Sequence, residues 1–120
     1  MKYNILITPQ FKKDIKYYKR KKKYLKIVDD IDTVIKELEI GNFLGDEIPN
    51  LHLKHEENVY KVRVMNSSIN VGKHKSNGFR LIYYVIKNDR DVYLLTIYSK
   101  KDQENISTSK IIELVDKYCE

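Results

Sequence analysis

The chain has 120 residues, 42% of them hydrophobic, which suits one domain built around a single modest core. Twenty-three Lys and Arg against seventeen Asp and Glu leave a formal charge of +6, favouring polyanionic or acidic partners without choosing between them. The lone Cys119 excludes an intramolecular disulfide framework, and no apolar stretch approaches the roughly 18 residues of a membrane span. The expectation is a soluble, unprocessed chain in a reducing cytoplasm, with no membrane partner.

Tyr3 to Ile7 reads as a first strand, followed by Thr8 as a helix N-cap and Pro9 at the first helical position, where its missing N–H costs nothing. Phe11, Ile15 and Tyr18 recur at helical spacing, while Lys12, Lys13, Lys16, Lys19 and Arg20 cover the rest of that helix. Ile27, Ile31, Val34 and Leu38 make a second stripe, ended by Gly41-Asn42, residues able to take the left-handed conformation. Two helices in a hairpin fit, joined near Lys21 to Tyr24. Residues 42–58 carry Gly45, Pro49 and polar positions without period, and read as an irregular connection.

From 59 to 65 the pattern alternates: Tyr60, Val62 and Val64 point one way, Val59, Lys61, Arg63 and Met65 the other. Residues 79–87 and 92–99 make two more strands, turned by Asn88-Asp89-Arg90-Asp91. A meander is the simplest arrangement of the three. Ser107 to Ser109 can cap a last helix with Ile111, Val115 and Tyr118 on one face. The order predicts an α+β fold in which helices cover one face of a largely antiparallel sheet and leave the other free for function.

Function is sought where strands carry charge without structural need. Lys61 and Arg63 leave the same strand face about 6 to 7 Å apart. Arg80 opens the neighbouring strand, where its guanidinium can hold a phosphate bidentately. Lys100 and Lys101 can close such a site, and Tyr98 can offer a ring for a base to stack on. The alternative is a solvent-facing surface whose charges prevent edge pairing. Lys73, His74 and Lys75 lie in a loop with Gly72 and Gly78 that can approach a phosphate, although its spacing is not that of a P-loop. His52 and His55, beside Glu56 and Glu57, invite a histidine-pair ribonuclease or a metal reading. Neither is specific, and Leu51 and Leu53 more simply anchor that segment. No carboxylate cluster suits a two-metal nuclease, so no metal and no other cofactor is expected.

Three segments carry a resemblance. Tyr60-Lys61-Val62-Arg63-Val64, then Gly72-Lys73 with Lys75 through Tyr84, then Tyr93 through Lys100 with Ile106-Ser107, resemble the RelE/ParE superfamily of bacterial type II toxins, most closely its HigB- and RelE-like branch. The helix pair of the front half fits in order and length without a motif. The resemblance implies a small toxin that enters the ribosomal A site and cleaves messenger RNA there, held inactive by a cognate antitoxin; with no carboxylate cluster for a metal, cleavage is expected to be metal-independent. Operator DNA would be bound only by the toxin–antitoxin complex. The resemblance implies catalytic roles for Lys61, Arg63, Arg80 and Lys101; on the residues themselves, Lys61 is the leading candidate to assist deprotonation of the 2′-hydroxyl, and Lys73, His74, Lys75, Tyr98 and Lys100 are candidate RNA contacts. The chain departs from the pattern at Asn77, where the loop usually has glycine, and at Ser107, where some members carry a tyrosine. A ParE-like gyrase poison and a non-catalytic nucleic-acid-binding module remain the alternatives.

Overall fold

The structure, a computed structural model, describes residues 2–69 and 78–119. In chain order these form β1 (Asn4–Ile7), α1 (Pro9–Arg20), α2 (Ile27–Glu39), β2 (Asp46–Glu47), β3 (Glu57–Val64), β4 (Phe79–Ile86), β5 (Asp91–Ser99) and α3 (Thr108–Cys119), a mixed α+β architecture. The sheet order is β1-β5-β4-β3-β2, with β1 parallel to β5 and the other neighbours antiparallel. Among the described residues, no helix is long and apolar enough to cross a membrane.

Local chemistry sets the helix ends. Thr8 is extended, and its hydroxyl accepts from the Phe11 N–H at 3.3 Å, with Pro9 beginning α1. At the end of α2, Gly41 has φ of +84°, and its N–H donates to Leu38 O while Asn42 N–H donates to Glu37 O. Those two reversed bonds satisfy carbonyls that the helix would otherwise leave open.

The sheet is covered on both faces, which corrects the expectation of one free face. Phe11, Tyr18, Ile27, Ile31, Val34 and Leu38 of α1 and α2 pack on Val62, Val64, Leu81, Tyr83 and Leu94. On the other face, Ile111, Leu114 and Val115 of α3, with Leu51, cover Val59, Ile82, Tyr84, Leu95 and Tyr98. β4 is consequently buried from Phe79 to Val85, and reads as a near-continuous apolar run for that reason. Alternation reveals which side chains share a face, but not what will cover it. Among the described residues, the far end of this second face, around Lys61, Arg63 and Arg80, lies outside the cluster that α3 covers.

Helix α1 also completes the sheet edge. β1 pairs with β5 only along Asp91–Leu94. Beyond that point Thr8 and α1 supply the missing partners: the Thr8 hydroxyl donates to Leu94 O at 2.7 Å, Asp14 Oδ2 accepts from Ile97 N–H at 3.1 Å, and the Tyr18 hydroxyl accepts from Ser99 N–H at 2.7 Å. Gln10, Asp14 and Tyr18 stand four residues apart, so one line of the helix follows the strand. Asp14 also accepts from the Thr96 hydroxyl and from Gln10.

Burial raises the Asp14 carboxyl above its ordinary 3.8, opposed by its hydrogen bonds from Thr96, Ile97 and Gln10. An acid raised on folding binds more protons in the native state, so its contribution to stability falls as pH climbs from about 3.8 through the raised value. Urea unfolding across that window is expected to show wild type losing stability relative to Asp14→Asn as pH increases. A pH-independent difference between the two would refute this assignment.

Candidate anion-binding and catalytic cleft

Antiparallel pairing of β3 and β4 places Arg63 directly opposite Arg80, and Lys61 opposite Ile82. Lys61, Arg63 and Arg80 therefore share the second face of the sheet. They line an open cleft of about 440 Å³ together with Gly45, Asp46, Val62 and Lys100. Four cations and one carboxylate converge there, at the end of the sheet that α3 does not reach.

The four cations are held differently. Arg80 is 7% exposed, and among the described residues its guanidinium donates to the Phe79 carbonyl at 3.3 Å. Arg63 is exposed and Lys61 half-buried. Lys61 Nζ reaches Asn105 Oδ1 at 3.5 Å, while Lys100 Nζ donates to the Glu104 carbonyl at 2.8 Å and pairs with the Glu104 carboxylate at 3.1 Å. The turn after β5 thus lies against two of the cleft's lysines. Opposed like charges weaken a ladder, and a mostly buried guanidinium is costly without a counterion. Such an arrangement is suited to an anion with several oxygens.

The remaining sequence-derived residues are sorted by the same geometry. Lys101 is exposed in the turn and does not line the cleft; Lys100 does. Tyr98, expected to offer a ring to a base, is instead a core residue at 4% exposure, packed with α3 side chains. Its position opposite Arg80 puts it on the covered face, where Ile111, Leu114 and Val115 bury it. Burial raises its phenol pKa, with the Arg80 charge pulling the other way, and its hydroxyl is without a hydrogen-bond partner among the described residues. Lys73, His74 and Lys75 fall outside the described residues. His52 and His55 are exposed, and His55 pairs with Glu56 at 3.1 Å, away from the cleft lining. Ser107, where a tyrosine stands in the resembling pattern, caps α3: its hydroxyl accepts from Lys110 N–H at 3.1 Å.

Besides Val62, the lining holds two residues not singled out as site residues from the sequence, Gly45 and Asp46. Residues 46 and 47 form a two-residue edge strand, with Asp46 opposite Lys61 and Glu47 opposite Tyr60. Two residues cannot display a period, so the stretch reads as loop. Gly45 was the available signal. Its φ is +96°, and a Cβ there would fall on the Lys61 carbonyl oxygen. Only glycine lets the chain come this close to β3. Tyr83, buried beneath, donates its hydroxyl to Leu44 O and fixes the preceding residue.

No family model matches the chain. Among solved structures, a mutant of the E. coli toxin RelE in the free state is similar over 98% of both chains, with 16% sequence identity and a TM-score of 0.48.

Proposed function

We propose that this chain is a toxin of a type II toxin–antitoxin system that cleaves messenger RNA in the ribosomal A site without a metal ion. The direct apposition of Arg63 and Arg80 in a cleft shared with Lys61 and Lys100 carries the reading. A protein gains little stability from that apposition, whereas a phosphodiester placed in the cleft relieves it. The strand motifs that resemble the RelE/ParE superfamily direct the choice among anions towards RNA.

In this reading the 2′-oxygen attacks the adjacent phosphorus and the 5′-oxygen leaves. Arg63 and Arg80 meet the negative charge that grows on the phosphoryl oxygens, and this stabilisation raises the rate because it is stronger in the transition state than in the ground state. Lys61 and Lys100 have protons to give to the leaving oxygen. Lys101, just outside, meets the flanking RNA or the ribosome. The exposed cations Lys12, Lys13, Lys16, Lys19 and Arg20 along α1 present a surface that an acidic antitoxin can cover. Operator DNA is then a ligand of the toxin–antitoxin complex.

The purified chain is to be incubated separately with translating ribosomes and with gyrase plus supercoiled DNA. Cuts in the A-site codon, mapped as new 5′ ends, are the expected result. Intact messages would overturn the ribonuclease reading, and gyrase-dependent DNA breaks with intact messages would replace it with a ParE-like one.

A further inference from the structure

Among the described residues, the cleft that gathers four cations has one carboxylate in its lining. Its lining side chains are Asp46, Lys61, Val62, Arg63, Arg80 and Lys100, with Gly45 contributing backbone. Attack by a 2′-hydroxyl requires a group that receives its proton. Ammonium and guanidinium groups are donors without a free lone pair, whereas the oxygens of a carboxylate accept.

We infer that Asp46, rather than Lys61, is the general base of this site and takes the proton from the 2′-hydroxyl of the scissile nucleotide; the inference rests on the ribonuclease reading above. Asp46 is the antiparallel partner of Lys61, so the two side chains leave the same face, with Cβ atoms about 5 Å apart by ladder geometry. Its side chain is exposed to the cleft and, among the described residues, engaged in no hydrogen bond or ion pair. Neighbouring carboxylates are occupied: Glu47 accepts from Asn58 at 2.7 Å, Asp102 pairs with Lys22 at 3.2 Å, and Glu104 pairs with Lys100 from outside the lining. A carboxylate left open in a site otherwise built to attract anions weakens ground-state binding of RNA. Its presence there is accounted for by chemistry that the cations cannot perform.

The step balances. The 2′-O–H bond breaks and its proton passes to an Asp46 oxygen while the 2′-oxygen bonds to phosphorus. The P–O5′ bond breaks, and the 5′-oxygen takes a proton from the ammonium of Lys61 or Lys100. The products are a 2′,3′-cyclic phosphate and a 5′-hydroxyl end, and exchange with water restores both protein groups. Where Lys61 is the donor, base and acid are cross-strand partners on one ladder, within reach of the same nucleotide.

The test measures single-turnover cleavage of ribosome-bound message across pH for wild type, Asp46→Asn, Asp46→Ala and Glu104→Gln. Asp46→Asn is expected to slow cleavage by roughly a hundred- to ten-thousandfold without weakening RNA binding, and to lack the fall in rate at acidic pH expected of wild type. That acidic limb persists in Glu104→Gln. Added formate restores part of the rate to Asp46→Ala and none to Arg80→Ala. Asp46→Asn cleaving at the wild-type rate, retaining the acidic limb, or an Asp46→Ala variant indifferent to formate would each overturn the assignment while wild-type cleavage leaves the ribonuclease reading intact. Wild type inert on ribosomes would overturn both.

Discussion

Replacing Arg80 by alanine is expected to cut the cleavage rate by about a hundredfold or more while the protein still folds. In the proposed mechanism the rate effect follows from removing a preorganised cation that would face the phosphoryl oxygens, worth on the order of 3 kcal/mol in the transition state. The stability effect is small because two consequences oppose each other. Truncation leaves a void where a side chain of 7% exposure stood, but it also removes a like charge placed directly opposite Arg63. Arg80→Lys keeps the charge and loses the planar fork, so it is expected to recover only part of the activity. Cleavage rates on ribosome-bound message, with circular dichroism melts of each variant, make the check. Full activity in Arg80→Ala would refute the cleft as the phosphate site, and an unfolded variant would make Arg80 a structural residue.

Much of this was legible in the sequence, for identifiable physical reasons. The strands over 59–65, 79–87 and 92–99 were visible because β-branched and aromatic residues cluster between turn signals, and they lie at Glu57–Val64, Phe79–Ile86 and Asp91–Ser99. The end of α2 was visible because Gly41-Asn42 has a local stereochemical meaning. Lys61, Arg63 and Arg80 were picked out because charge on a central strand lacks a packing explanation, and pairing brings all three to one cleft.

What was hidden is long-range. Period two places Tyr98 on the same face as Arg80 but says nothing of α3 arriving there, so a core ring resembled an available one. Asp14 sits among lysines on a basic helix, and nothing local announces that its carboxylate will serve the backbone of a strand 83 residues away. Asp46 belongs to a strand too short to show a pattern, and its position depends on pairing with Lys61. Pairing converts a loop residue into a neighbour of the cleft's cations.

That pairing depends on residue 45, and Gly45→Ala is expected to be the most damaging single-methyl change in the cleft. The residue has φ of +96°, outside the range an L side chain readily adopts, and the added Cβ would collide with the Lys61 carbonyl oxygen and crowd Val62 Cα at 2.9 Å. Neither obstacle can yield easily, since both belong to the backbone of β3, which pairs with β4 along its length. The less constrained partner moves instead: β2 is two residues long, and Asp46–Glu47 peel away from Lys61 and Tyr60. Backbone strain of this kind costs about 1 to 3 kcal/mol, and loss of the Leu44 carbonyl as acceptor for the buried Tyr83 hydroxyl adds to it. With a urea m-value of about 1 to 3 kcal/mol per molar, the unfolding midpoint is expected to fall by roughly 1 M. Cleavage falls too, because Asp46 no longer faces the cleft, and formate restores part of it only if the cations keep their places. Asp46→Asn, with no backbone conflict, is expected to retain the wild-type midpoint; a Gly45→Ala protein as stable and as active as wild type would refute the close approach of β2 to β3 on which the cleft is built.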